Sequence, residues 1–372
     1  MPGTPNIQII THQIGIAIIG RVPLPYGGVS VHLERLLGRL RSESVEYDFY
    51  DLGGKSDPDL RIFPGKSRFL WFMWFLLRAR RRYRLLHFHA SNPYTLIAAN
   101  SLMVGSKVRL AYTLHGEGLH LWARKTGPWF LRWALRKALR NADHIFSINP
   151  MVAQKLPTFG VDPNHITWMA AYLPPSEQEL DPVNLTNEVC KFFETHSRVI
   201  GMQAWFGAFQ AGKDIYGLEQ IAPLIIGLRD KFPKVGVCTV ISGTHDHHHR
   251  QQIYALREDA GLVNDWLLLE GGGPAVALFK RCDLFLRPTI SDGDSLSVRE
   301  CLSFGVPVVA SDAVVRPKGC CLYPTGDTDA MVEKVLEALD SINDITSKNP
   351  KLEVQDHALP LLNYYRYVLN NS

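Results

Sequence analysis

No apolar run in this 372-residue chain approaches the roughly 20 residues needed to cross a bilayer. The longest uncharged one, Phe69–Leu77, has about half that length. Met1–Thr11 has no basic start, and Ile14–Ile19 is too short for a secretory apolar segment. The expectation is a cytoplasmic protein, peripheral on the cytoplasmic face of a membrane. Cysteine is scarce, with six residues, all in the second half: Cys190, Cys238, Cys282, Cys301, Cys320 and Cys321. No C-x-x-C pair occurs, and adjacent Cys320 and Cys321 suit a disulfide poorly, so reduced thiols are expected. Acidic residues are sparse in the first half. Residues 1–180 carry 22 Lys and Arg against 12 Asp and Glu, while the remainder has 18 against 24. That asymmetry points to a polyanionic or membrane partner for the first half. Repeats and disorder-prone composition are missing too, which leaves an ordinary globular chain long enough for two domains.

Short apolar runs alternate with helical patterns. Ile14–Gly20, Leu85–His89, Arg109–Leu114 and His144–Ile148 read as buried strands, and Ser30–Arg41 has helical spacing. After a polar, Pro-containing stretch from Leu173 to Asn187 the pattern restarts. Val199–Met202, Val235–Ser242, Leu267–Leu269, Leu284–Arg287 and Val306–Ala310 read as strands, with helical segments around Leu218–Phe232 and Arg250–Ala260. The pattern predicts an α/β protein of two Rossmann-like, doubly wound domains. Their expected spans are 1–180 and 181–354, with a helix at about 355–372 packing back on the first.

The densest chemistry lies in Arg287–Asp312. A strand ends at Arg287-Pro288, a loop carries Asp292-Gly293-Asp294, and a helix begins near Ser295–Ser297. A helix amino terminus presents unpaired N–H groups that suit a diphosphate. Leu296 and the residues around it belong to that first turn. Glu300, one turn in, suits ribose hydroxyls, and Asp292 suits hydroxyls of a sugar. Ser297 and Glu300 also fit a capping box, and Asp294 a simple cap, which require no ligand. The crowding of Asp292, Asp294, Ser295, Ser297, Arg299 and Glu300 exceeds what a cap requires.

Three further segments bear on function. Pro23–His32 places Gly27 and Gly28 between a strand and a helix, which permits close backbone approach to phosphate or sugar. G-x-G-x-x-G spacing is missing, so dinucleotide binding is disfavoured. His115, in Thr113-Leu114-His115-Gly116-Glu117, ends an apolar strand. Gly207–Asp214 nearly matches a phosphate-binding P-loop through Gly207, Gly212 and Lys213, but Asp214 replaces the required hydroxyl, which rejects an NTPase. The run His245–His249 with Asp246 is assigned no metal, because adjacent His side chains rarely converge on one ion.

The Asp292–Asp312 segment resembles the acidic motif of glycosyltransferase family 4, the retaining transferases with a GT-B fold. In that family two acids separated by seven residues precede a small residue and then Gly-x-Pro-Val-Val-Ala-Ser; here these are Asp292, Glu300, Cys301 and Gly305–Ser311. The resemblance spans Ile14 to about Leu339 and implies two domains facing a central cleft. It implies acceptor binding by the first domain and nucleotide-sugar binding by the second. Gly27 and Gly28 match its glycine loop, His115 its histidine near the reaction centre, and Lys213 a lysine that neutralises the diphosphate. The accompanying arginine is missing before Lys213; Arg287 and Arg299 are candidates to replace it. This chain departs also in Asp292, where the family has Glu, and in Asp294, where an aromatic is usual. The implied catalytic residues are His115, Lys213 and Asp292. Donor binding falls to Gly27, Gly28, Lys213, Arg287, Asp292, Gly293, Asp294, Ser295, Leu296, Ser297 and Glu300. No metal and no cofactor is implied beyond the UDP- or GDP-sugar substrate.

Lys66–Arg84 and Pro128–Asn141 explain the basic first half. Each sets Trp and Phe beside several arginines, as in helices that lie on anionic membranes. The simpler alternative is a core-facing Trp with a solvated basic face. No nucleic-acid motif is present. The expected activity is transfer of a sugar to a glycan or lipid-linked acceptor in polysaccharide or glycolipid assembly. The alternatives are a catalytically silent GT-B protein that binds glycans or partners, and a GT-B nucleotide-sugar epimerase.

Overall fold

In the computed structural model, residues 15–23, 27–65, 69–89, 92–115, 128–181, 185–271, 275–342 and 357–371 are described. Residues 24–26 of the glycine loop, Gly116 and Glu117 after His115, and Lys66–Arg68 of the first basic stretch lie outside them. The chain forms two compact units. One comprises Met1–Arg21, Leu37–Met169 and Ala358–Ser372; the other comprises Val22–Leu36 and Ala170–His357.

The first unit is built on seven parallel strands. They are β1 (Ile16–Gly20), β2 (Asp48–Asp51), β3 (Ile62–Pro64), β4 (Leu85–Phe88), β5 (Arg109–Leu114), β6 (His144–Ser147) and β7 (Ile166–Trp168). Their order is β3-β2-β1-β4-β5-β6-β7. β1, β4 and β5 are buried along nearly their whole length, as expected of strands with helices on both faces. On one face α2 (Phe69–Arg82), α3 (Pro93–Met103) and α4 (Trp129–Arg140) pack side by side. The carboxy-terminal helix, Leu359–Asn370, also belongs to this unit. Its Tyr365 is buried against His87, and Arg84 donates to the Leu369 carbonyl at 3.0 Å.

The second unit has six parallel strands: β8 (Arg198–Phe206), β11 (Val235–Thr244), β12 (Trp266–Glu270), β13 (Leu284–Arg287), β14 (Val308–Ser311) and β15 (Cys320–Tyr323). A two-stranded hairpin, β9 (Phe209–Gln210) and β10 (Lys213–Asp214), stands apart. The order β12-β11-β8-β13-β14-β15 reverses direction at β8, so β8 and β13 flank the topological switch point. In open α/β sheets the crevice beyond the carboxyl ends at that point is where ligands bind. Each sheet thus starts in its middle and grows outward to both sides, the doubly wound pattern expected from the strand–helix alternation.

Candidate donor site

The helix opening the acidic segment, Leu296–Phe304, begins within the span read from sequence. It ends where Gly305 takes φ +79°, letting the Val306 N–H reach back to the Cys301 carbonyl at 2.9 Å. Its N-cap is Ser295, whose side chain makes no capping bond and instead lies 3.2 Å from the Ser297 hydroxyl. The capping box fails as well. Ser297 lies inside the helix, and the Glu300 side chain pairs with Arg35 at 2.7 Å. Asp294 does not cap either: it accepts the Ala171 N–H at 2.9 Å and the Arg299 Nε at 2.6 Å. The first turn therefore keeps N–H groups that no cap side chain occupies.

Arg287 ends β13 at the switch point and is buried. Strand alternation turns Gln203, Trp205 and Arg287 toward the helix that starts at Leu296, because Met202, Ala204, Phe206 and Leu286 face the opposite core. Arg287 donates twice to Asp292, at 2.8 and 2.9 Å, and once to the Gln203 carbonyl at 3.2 Å. Arg316 donates to the same carboxylate at 2.7 Å, joined by Thr289 and the Gly293 N–H. Five donors saturate a carboxylate that has about four lone-pair sites. Burial alone would raise the Asp292 pKa; the two guanidiniums outweigh it and hold it down to about 2. Two arginines on one carboxylate leave one excess positive charge, an arrangement suited to phosphate. Asp292 is accordingly the counter-ion of an arginine pair, and its oxygens are engaged within the loop rather than presented to a sugar.

Glu300 is buried on the next turn. Burial pushes its pKa up, against the opposing pull of Arg35. Arg35 also grips Glu179 through two nitrogens, at 2.9 and 2.7 Å, and donates to the Leu173 carbonyl. Arg35 and Arg316 were both missed in the sequence. Arg35 sits beside an ordinary leucine stripe, and Arg316 lies in a loop without a motif. Neither carries a local signal, because its partner is distant or across a turn.

Gly27 and Gly28 lie in the same unit, where α1 (Gly28–Ser42) starts. Among the described residues, a Cβ at Gly28 would meet nothing within 4 Å, and one at Gly27 would come no closer than 4.0 Å to Trp205, which leaves room for close backbone approach. The Gly207–Asp214 segment is a hairpin rather than a phosphate loop. Ala211 and Gly212 take φ of +51° and +78°, the turn that matches strand twist in two-residue hairpins. Lys213 is exposed on it, while Asp214 is buried and accepts the Leu218 N–H at 2.7 Å. The hairpin is tied to the Asp292 loop where the Ile290 N–H donates to the Ile215 carbonyl at 3.0 Å. Arg299, a candidate for the missing family arginine, is spent on Asp294. His115 belongs to the first unit, half-buried after β5, with its Nε2 3.1 Å from the His89 Nδ1.

Two family profiles match the chain: Glycosyltransferase Family 4 over residues 26–169 and Glycosyl transferases group 1 over residues 204–341. No curated protein matches it by sequence. Among solved structures, Anabaena HepE in complex with UDP-glucose is 14% identical, with a TM-score of 0.67, covering 96% of this chain and 100% of that one. Sucrose-phosphate synthase from Thermosynechococcus elongatus is 15% identical, with a TM-score of 0.71 and the same coverage. A glycosyltransferase from Rickettsia africae is 13% identical, with a TM-score of 0.69, covering 96% of this chain and 99% of that one. At such identities the likeness is one of fold.

Proposed function

The chain belongs to glycosyltransferase family 4 and has the GT-B fold of two parallel-sheet α/β units, and on that premise we propose that it moves a sugar from a nucleotide-sugar donor to a glycan or lipid-linked acceptor. We assign it retention of configuration and a place in polysaccharide or glycolipid assembly. The observation that carries the reading is the helix start at Leu296, without a side-chain cap and beside the buried Arg287–Asp292–Arg316 cluster at the switch point.

In this reading the diphosphate lies against the helix N–H groups, with Lys213 and the arginine pair supplying positive charge and Glu300 the ribose contact. The bond from the anomeric carbon to the diphosphate breaks as the acceptor oxygen bonds on the same face. The acceptor proton passes to the departing diphosphate oxygen. His115 steadies developing charge by a hydrogen bond. Charge neutralisation by side chains is the reason no metal is assigned; activity that survives EDTA is the expected outcome. UDP-sugars are the first donors to test, since HepE was crystallised with one.

A thermal-shift screen of UDP-, GDP- and ADP-sugars tests the donor. A ligand at 100 times its Kd stabilises by about 2.7 kcal/mol, and no shift with any of them would sink the reading. The saturated Asp292 favours one rival, a silent sugar-binding relative. Slow donor hydrolysis by the wild type, abolished in Glu300→Ala, decides against it.

An anionic membrane is the proposed site of action. On α2, Phe69, Leu70, Trp74 and Leu77 are exposed, and on α4 so are Trp129, Phe130 and Trp133, each helix also carrying exposed arginines. Trp71 packs against the core, but Trp74, Trp129 and Trp133 do not, and these three exposed rings support the membrane reading over a solely core-facing role. Sedimentation with phosphatidylglycerol vesicles at low salt, lost in a Trp74→Glu, Trp133→Glu variant of unchanged Tm, is expected. A wild type that stays in the supernatant would refute it.

A further inference from the structure

The run His245–His249 has no part in the reading above, and its residues go separate ways. His245 is exposed and stacks on Trp205, ring centroids 4.8 Å apart. Asp246 caps the helix His247–Asp259 by accepting the N–H groups of His248 and His249. His249 is 1% exposed, and its Nδ1 accepts the backbone N–H of Gly207 at 2.8 Å. Its Nδ1 is therefore unprotonated, and the neutral ring carries its hydrogen on Nε2. That nitrogen has no hydrogen-bond partner among the described residues. A buried N–H left unpaired costs stability, and Phe at this position would avoid the cost. Phe, however, could not accept the Gly207 N–H. The ring contact with Phe209, centroids 4.9 Å apart, is one Phe could also make, so what the histidine adds over Phe is that acceptor.

Gly207 is held tightly. It takes φ +77°, and a Cβ there would come within 2.4 Å of the Asp246 Cβ and 2.5 Å of its backbone nitrogen. The chain leaving Gly207 runs directly into the β9–β10 hairpin. The Ile215 N–H closes that hairpin on the Ala208 carbonyl at 2.8 Å. The hairpin is held on its entering side by the His249–Gly207 bond, and on its leaving side by the Ile290–Ile215 bond and by buried Asp214, which accepts the Leu218 N–H, with Lys213 between the two sides.

We propose that His249 is a positioning residue of the transfer reaction: its Nδ1 fixes Gly207 and so sets where the hairpin holds Lys213. This rests on the assignment of Lys213 to the donor diphosphate. His249 touches neither substrate nor the departing group.

The test compares donor kinetics of the intact wild type with His249→Phe, His249→Asn, His249→Gln, Lys213→Ala and the His249→Phe/Lys213→Ala double variant, with Tm recorded for each. Asn places an oxygen where Nδ1 lies; Gln places one nearer Nε2. His249→Phe is expected to lower kcat at least tenfold with donor KM changed less than threefold. His249→Asn should recover to within threefold of wild type, and His249→Gln should not. The double variant should be no slower than Lys213→Ala alone, since both remove one interaction. If His249→Phe does not fold, the Asn and Gln variants carry the comparison, and equal activity in those two overturns the proposal. Multiplicative losses in the double variant overturn it too. Undiminished kcat in Lys213→Ala removes the premise, and the proposal falls with it; impaired Lys213→Ala beside unimpaired His249→Phe refutes the positioning role alone.

Discussion

Arg35 and Glu300 meet at 2.7 Å with both side chains almost wholly buried, and Arg35 carries Glu179 as well. One guanidinium thus serves two carboxylates. Breaking a buried pair by removing one partner leaves a stranded charge, at a cost of about 3–5 kcal/mol. Arg35→Met should therefore lower urea stability by about 3 kcal/mol, more than Glu179→Gln, which leaves Arg35 with Glu300. Equal losses in the two variants would show that the Glu300 contact carries no special weight.

Asp292 predicts an acid limb. Its folded pKa of about 2 lies below its ordinary value of 3.8, so its stabilisation is complete above pH 4 and is lost as pH falls toward 2. The shift corresponds to about 2 kcal/mol at neutral pH. Asp292→Asn should lose that stability at pH 7 and show a flatter fall between pH 4 and 2. An acid limb identical to wild type would contradict the arginine clamp.

A second window lies higher. Burial holds His32 down to about 4, with the Ala171 carbonyl opposing and Arg35 assisting; burial, aided by His165, holds His144 down to about 4 as well. Both therefore fold as neutral rings, and the unfolded chain takes up protons first as pH drops. Stability is full above about pH 6.5 and declines toward pH 4. His144→Phe, which keeps the aromatic contacts with Phe146 and Tyr364, should flatten this decline in a pH series of Tm values.

Gly243 gives a steric prediction. A Cβ there would lie 2.3 Å from the Trp205 Cζ3, where β11 slips register between Ile241 and Thr244. Overpacking of this kind costs about 1–3 kcal/mol. Gly243→Ala should lower Tm and shift tryptophan emission, and a second-site Trp205→Phe should restore part of the loss. An unchanged Tm would mean the indole moves freely.

Much of the architecture was legible because strands buried on both faces appear as unbroken apolar runs, as in β1, β5, β8, β11 and β13. β2 escaped notice because it begins and ends in Asp. Its charge is met from elsewhere: Arg61, Arg82 and Tyr83 all donate to Asp48. β3 and β7, three residues each, are too short to show a period, and β15 is an edge strand with two of its four residues exposed. In the site, the helix start and the placement of Glu300 were legible from local spacing. The commitments of Asp292 and Asp294 were not. A carboxylate facing a ligand and one facing an arginine look alike in sequence, and Arg316 is found only once the loops are folded.

The last helix has a consequence for how the protein is made. Leu361, Leu362 and Tyr365 are buried in the first unit, yet they follow the whole of the second in the chain. A ribosome delivers β1–β7 early and the segment that covers them late. Domains commonly fold in order as they emerge. Here the unit begun first has to wait for a closing piece that comes after its neighbour is complete, and in the interval its sheet face around His87 and His144 stays open to chaperones and proteases.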